Sequence, residues 1–184
     1  MTETKLRDAL RAHLAQGLLS GSGRIVEELG VERGAARIDV AVITDRLLGY
    51  EIKSDRDTFG RLSNQIHAYN RVFDEITLVT GPTLLDDALR LLPSWWGVMT
   101  VESDPAGAEL RIVRPPRENP AQDALSIAML LWKAEAIDML AVHGGHDVSS
   151  RWASTRVHAL LAEVVPLESL RRLVAKTLTA RGTW

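Results

Sequence analysis

Residues 24–53 constrain the fold more tightly than any other part of the chain. Three extended segments follow one another there, at residues 24–31, 37–43 and 47–53. The second segment is rich in β-branched residues, which suit a pleated, half-buried strand. Only short turns separate the three segments, so this spacing predicts an antiparallel meander.

The meander is flanked by predicted helices and a buried strand. Leu6, Leu10 and Leu14 recur at a spacing of four, which indicates an amphipathic helix over residues 3–16. A second apolar stripe predicts a helix over residues 58–73. The wholly apolar run at 76–80 is typical of a strand that is buried on both faces and has a parallel neighbour. The order is therefore αβββαβ, and the expected fold class is α/β with a mixed sheet.

The remainder of the chain divides at a proline-rich stretch, residues 114–120. Before it, the pattern predicts one helix and two strands, at residues 84–92, 97–102 and 110–113. After it, the pattern predicts helices at residues 123–142, 150–164 and 166–180. We expect a core over residues 1–116 and a C-terminal helical extension, residues 117–184, packed on that core.

Composition excludes several classes of protein. The 184 residues are 46% hydrophobic and 25% charged, which is ordinary for a soluble globular protein. Cysteine is absent, so neither a disulfide nor a thiolate metal site can form. No stretch reads as a signal peptide or approaches the roughly 20 apolar residues of a membrane span. We therefore expect a cytoplasmic protein with no membrane partner.

Charged residues interrupt two of the three predicted strands. Glu51 and Lys53 are two positions apart and should project from the same face, opposite Ile52. Asp39 lies in an apolar strand and should share its face with Ala41 and Ile43. A buried carboxylate costs several kcal/mol unless a cation compensates it. A solvated Glu51–Lys53 pair alone would be unremarkable, but Asp39 beside it favours a functional site.

A third carboxylate comes from the first strand. Glu28 is the preferred candidate, but Glu27 is adjacent and a shift of one residue would exchange their faces, so both stay open. Carboxylates with a lysine form a hard-oxygen site that suits Mg²⁺ or Mn²⁺. Such a metal polarises a phosphodiester and supplies hydroxide, while an ammonium orients the water or offsets developing charge.

The helix after the meander carries polar residues in one line. Arg61, Gln65 and Tyr69 follow one another at a spacing of four. Arg61 could hold a phosphate, Gln65 could bond the scissile strand or a metal-bound water, and Tyr69 could stack on substrate or belong to the core. Arg37 is a further candidate for phosphate contact, although a surface position at a strand end is the commoner role.

Together these residues resemble the PD-(D/E)XK nuclease superfamily, and more closely a small bacterial and phage branch of it. The matching pattern is Glu28, Arg37-Ile-Asp39, Glu51-Ile-Lys53-Ser-Asp55 and Gln65-x-x-x-Tyr69, with Ile38 where many members have proline. The resemblance implies a restriction-endonuclease-like core. It also implies Asp39 and Glu51 as metal ligands and Lys53 as the catalytic lysine.

The resulting hypothesis is a Mg²⁺-dependent endonuclease that hydrolyses DNA. Asp39, Glu51 and Glu28 would bind the metal, Lys53 would assist the attacking water, and Gln65, Arg61, Arg37 and Tyr69 would position the strand. The alternative is a catalytically inactive nuclease-like module that binds nucleic acid or a protein. RNA as the substrate stays open, and so does a homodimer, because many enzymes that cut duplex DNA pair two sites.

Overall fold

The computed structural model describes residues 1–18, 23–104, 107–145 and 147–182. Within those ranges six strands form one sheet, and their spatial order is their chain order. The strands are β1 (Arg24–Val31), β2 (Ala36–Ile43), β3 (Leu47–Lys53), β4 (Glu75–Thr80), β5 (Gly97–Asp104) and β6 (Gly107–Arg114).

The sheet is mixed, as predicted. The first three strands form an antiparallel meander, β4 runs parallel to β3, and β5 runs parallel to β4. The final strand, β6, returns antiparallel to β5. The α/β fold class is thereby confirmed, and β4 is buried along nearly its whole length, as its apolar run indicated.

Helices cover both faces of the sheet. They are α1 (Glu3–Leu18), α2 (Leu62–Asn70), α3 (Leu85–Leu91), α4 (Ala124–Ala128), α5 (Lys133–Met139), α6 (Ser154–Val164) and α7 (Leu167–Ala180). The first six elements therefore follow the predicted order αβββαβ. No helix in the described residues is long and apolar enough to cross a bilayer.

Two apolar clusters hold these layers together. On one face, Leu6, Leu10 and Leu14 of α1 pack with Val40 of β2 and Ile52 of β3. The other face is larger and joins the sheet to α2 and to the C-terminal helices. Its fully buried members include Ile38, Tyr69, Phe73, Trp96, Leu161, Leu170 and Val174. The C-terminal helices thus bury their apolar sides against the sheet, while the boundary at residue 116 stays a prediction.

The long helix predicted over residues 123–142 is wrong. The chain forms α4, leaves the helical conformation and begins a new helix at α5. Side chains from distant parts of the chain bond the backbone carbonyls between the two helices, so these carbonyls need no helical partner. The Arg181 guanidinium donates to the Leu130 carbonyl at 3.2 Å, and His158 Nε2 lies 3.1 Å from the Leu131 carbonyl. The Glu135 carboxylate accepts the Trp132 N–H at 2.7 Å and so starts the new helix.

Candidate active site

The site forms where β2 and β3 separate. Val40 and Tyr50 make the final residue pair of this ladder. Beyond it, the Asp39 carboxylate accepts the Ile52 N–H at 2.7 Å, replacing a backbone partner. Hydrogen bonding between the strands thus gives way to a side-chain contact, and a carboxylate lies between two strand ends.

Asp39 does not share one face with Ala41 and Ile43 in the simple way that we expected. Ile38 packs in the cluster beneath α2, whereas Val40 packs in the cluster beneath α1, so side-chain alternation is interrupted at Asp39. Opposite it in β1, Glu28 has a left-handed backbone with φ 56°. This local irregularity lets Asp39 contact groups from both layers.

Glu51 is the most deeply enclosed acid of the site. Only 2% of it is exposed, and three side chains donate to its carboxylate. Lys53 Nζ and Gln65 Nε2 each lie 2.6 Å from Oε1, and the Tyr69 hydroxyl lies 2.9 Å from Oε2. A residue two positions along β3 and two residues four apart on α2 thus bond the same carboxylate.

Asp39, Glu51 and Lys53 are electrostatically coupled. Burial first, and then the neighbouring charge of Asp39, raises the pKa of Glu51, while Lys53 opposes that rise. Burial also raises the pKa of Asp39, opposed by the Ile52 N–H, Arg7 and Lys53. Two carboxylates therefore lie close enough to disfavour each other's charge, which is an arrangement that a cation would relieve.

Tyr69 and Gln65 hold Glu51 from the helical side. Tyr69 is completely buried and stacks near Trp96, so contact with a substrate would require the core to open. Burial, and then the charge of Glu51, raises the pKa of Tyr69. The Gln65 Oε1 atom is buried and accepts no hydrogen bond from the described residues. The site thus keeps one unused acceptor.

Arg7 of α1 was missed from the sequence, and it lies among the acids. Its Nη2 atom is 3.1 Å from Asp39 Oδ1 and 3.5 Å from Glu28 Oε1. Glu27 bonds Arg11 at 2.5 Å and comes no closer than 3.9 Å to Arg7, so Glu28 is the acid that approaches the shared cation of Asp39 more closely. The signal available in the sequence was an arginine directly beside Leu6, on the helical stripe that contacts the sheet.

The remaining candidates lie at the margin of the site. Half of the Glu28 side chain is exposed, and its Oε2 atom is 3.8 Å from Arg37 Nη1. Arg37 itself is 64% exposed, and its contact with a phosphate stays a prediction. The side chain of Arg61 lies outside the part of the chain that the structure describes.

The acids of the site offer only a small donor set to a divalent metal. No group of three or more His, Asp or Glu side chains in the described ranges has metal-holding geometry. Mg²⁺ nevertheless keeps several waters and is often bound through one or two protein carboxylates. Asp39 and Glu51, crowded and adjacent, meet that smaller requirement, and the unused Gln65 Oε1 could accept from a water. Glu28 is held by Arg7 instead.

The chain belongs to the bacteriophage P4 protein cII family, whose model matches residues 1–183. Protein cII of Enterobacteria phage P4 is 27% identical over 129 residues, which are 70% of this chain and 48% of that protein. The chain therefore spans about half the length of this curated relative. A solved protein of unknown function from Silicibacter pomeroyi matches with TM-score 0.48 and 20% identity, over 79% of this chain and 95% of that one.

Proposed function

We propose that this protein is a metal-dependent nuclease that hydrolyses DNA phosphodiester bonds with Mg²⁺ or Mn²⁺. The observation that carries the proposal is the arrangement around Glu51. A buried acid is held by Lys53 and Gln65 and lies beside Asp39, at the point where two strands separate. The resemblance of the same residues to PD-(D/E)XK nucleases supports this function. A cytoplasmic location goes with the proposal.

Each residue has a role in this proposal. Asp39 and Glu51 would hold the metal, which when bound supplies a Lewis acid for the phosphodiester and lowers the pKa of water. Lys53, with 14% of its side chain exposed, orients the attacking water and offsets charge that develops on the phosphate. Tyr69 and Gln65 fix Glu51 by donating hydrogen bonds to its carboxylate.

A second candidate is an inactive nuclease-like module that binds nucleic acid or a protein. The contact that favours it is Arg7, whose guanidinium lies between Asp39 and Glu28. A permanent internal cation at that point would neutralise the acids without chemistry. The two candidates differ in what they require of Arg7. In the nuclease, Arg7 must leave Asp39 when a metal binds, whereas in the inactive module the contact persists.

Plasmid cleavage separates the two candidates. Wild type, Lys53→Ala and Asp39→Ala are incubated with supercoiled DNA in Mg²⁺, in Mn²⁺ and in EDTA, with single-stranded RNA as a parallel substrate. We expect metal-dependent nicking by wild type and a loss of about 10²-fold to 10³-fold in either variant. Lys5→Ala, which removes an exposed lysine, is the matched control.

Gel filtration of the same samples, with and without DNA, distinguishes a monomer from a homodimer. If wild type binds DNA yet cleaves neither substrate with any divalent metal, the module replaces the nuclease as the proposed function.

A further inference from the structure

A cleft opens beside the candidate active site. It has a volume of about 630 Å³ and lies between the turn that precedes β2 and the outer side of α2. Its lining includes Glu32 and Ala36 from the turn side, and Asn64, Gln65 and Ala68 from the helix. Ligand sites commonly measure about 300–1,000 Å³, so the space suits one small group. Gln65 belongs both to this cleft and to the site around Glu51.

Two residues of the cleft carry buried acceptors that lack a hydrogen bond. Among the described residues, Glu32 Oε1 and Gln65 Oε1 accept none. Glu32 Oε1 forms an ion pair with Arg71, whose Nε atom is 3.6 Å away, but that distance is too long for a hydrogen bond. Unsatisfied buried acceptors are rare in native proteins, and two in one cleft indicate a ligand that donates hydrogen bonds.

The turn that holds Glu32 is strained. Glu32, Arg33 and Gly34 have consecutive positive φ values of 50°, 56° and 84°. Two of these residues carry a side chain, and left-handed backbone disfavours such residues. Strain of this kind persists where the surrounding structure enforces it, and it is concentrated at ligand clamps and active sites. The strained turn places Glu32 in the wall of the cleft.

We propose that this cleft binds an unpaired nucleobase that carries an exocyclic amino group, next to the phosphate held at the nuclease site. The inference rests on the proposed function and names the substrate as single-stranded DNA. Amino groups of cytosine, adenine or guanine donate to carboxylate and amide oxygens. Thymine carries no amino group, and its single ring N–H lies between two carbonyls that would face those same acceptors unfavourably.

The surroundings of the acceptors fit that ligand. Ala36 and Ala68 form small apolar walls that leave room for a flat ring. Arg37, also a lining residue, is exposed at the mouth of the cleft, where it would contact a backbone phosphate by leaving its ion pair with Glu28. Only a base outside a duplex presents its pairing edge to such a cleft, as in other single-strand readers.

Fluorescence anisotropy with the full chain in EDTA tests this inference while cleavage is off. The probes are a fluorescein-labelled dT12 strand and the same strand with one central dC, dA or dG. For wild type we expect each amino-bearing base to bind about tenfold tighter than the all-thymine strand. Equal affinities, or no binding of any strand, would overturn the inference.

Two variants assign the preference to this cleft. Glu32→Gln replaces an acceptor by a group that also donates, so the preference should fall to about twofold while dT12 binding persists. Ala35→Trp fills the cleft from its exposed rim and should abolish the preference without touching the core. Glu163→Gln, at an exposed position of α6, should behave as wild type.

The two proposals fail in different ways. A base preference that persists in both cleft variants would mean that the base binds elsewhere on the protein. That result overturns this inference, whatever the plasmid assay gives. Absence of cleavage with an intact base preference overturns the nuclease alone, because the binding measurement uses neither metal nor turnover. Circular dichroism melts of each variant establish that a lost preference does not reflect unfolding.

Discussion

Two arginines reach into the sheet from opposite ends of the chain, and their acids differ. Arg171 of α7 lies 2.5 Å from Asp74, which is 1% exposed and also accepts the Leu47 N–H at 2.7 Å. Arg7 of α1 lies 3.1 Å from Asp39, whose side chain is 21% exposed. The first acid has its donors close around it, whereas the second has other acids beside it.

That difference distinguishes an ion pair that stabilises the fold from an ion pair that belongs to the candidate active site. Asp74 joins the N-terminal part of α7 to the start of β3, and each of its oxygens has a donor. Breaking such a pair leaves a buried charge without compensation. Asp39 instead shares its cation with Glu28 and lies near Glu51, so its present contacts are exchangeable. Crowded acids that cost stability are typical of sites kept for function.

The largest effect should come from the structural pair. Asp74→Ala removes the buried partner of Arg171 and leaves the Leu47 N–H without its acceptor, so we expect the free energy of unfolding to fall by about 3–5 kcal/mol. Urea denaturation measures it. Glu118→Ala, which removes the exposed partner of the same arginine, should cost under about 0.5 kcal/mol. Similar losses for both variants would remove the distinction drawn between the two arginines.

Arg7→Gln tests whether the other pair is exchangeable. Removing the competing guanidinium should tighten Mn²⁺ binding about tenfold, or ~1.4 kcal/mol, with little change in stability. Isothermal titration calorimetry measures the affinity, and Asp39→Asn serves as the variant expected to lose it. Weaker Mn²⁺ binding by Arg7→Gln would mean that Arg7 positions Asp39 for the metal, contrary to a competing role.

Glu51→Gln should stabilise the protein while abolishing cleavage. Burial and the neighbouring Asp39 raise the pKa of Glu51, so its ionised form costs the native state at neutral pH and above. We expect a gain of about 1 kcal/mol at pH 8. Urea denaturation should show the opposite sign for Asp74→Asn, and a destabilised Glu51→Gln would show that Lys53 needs its partner for folding.

The smallest effect concerns His158 in the C-terminal helices. Burial lowers the pKa of its imidazole, which contacts the Leu131 carbonyl and Ser154 Oγ, so the native state favours the neutral ring. The contribution of neutral His158 to the free energy of unfolding should be complete above pH 6.5. It should decrease by about 0.5–1 kcal/mol as the pH is lowered below that value. The free energy of unfolding of His158→Gln, measured between pH 7.5 and 5, should lack this pH-dependent decrease. The exposed His13→Gln should retain it.

Local periodicity predicted much of the sheet. Segments 24–31 and 47–53 match the observed strands residue for residue, because short apolar and β-branched runs between turns have few alternatives. The alternation of two also predicted that Glu51 and Lys53 would project together, and they are in contact. The break at residues 129–132 was not predictable in this way, since Arg181 and His158 impose it from far along the chain.

The sequence by itself determined the order of the first six elements, the burial of β4 and the acids that could not be buried without partners. Only the tertiary structure decided which cation each acid receives, that Arg7 lies between Asp39 and Glu28, and that Glu32 and Gln65 meet at one cleft. The physical reason is the separation along the chain of the residues that determine each property. Periodicity is a local property, whereas charge pairing and cavities depend on residues that folding brings together.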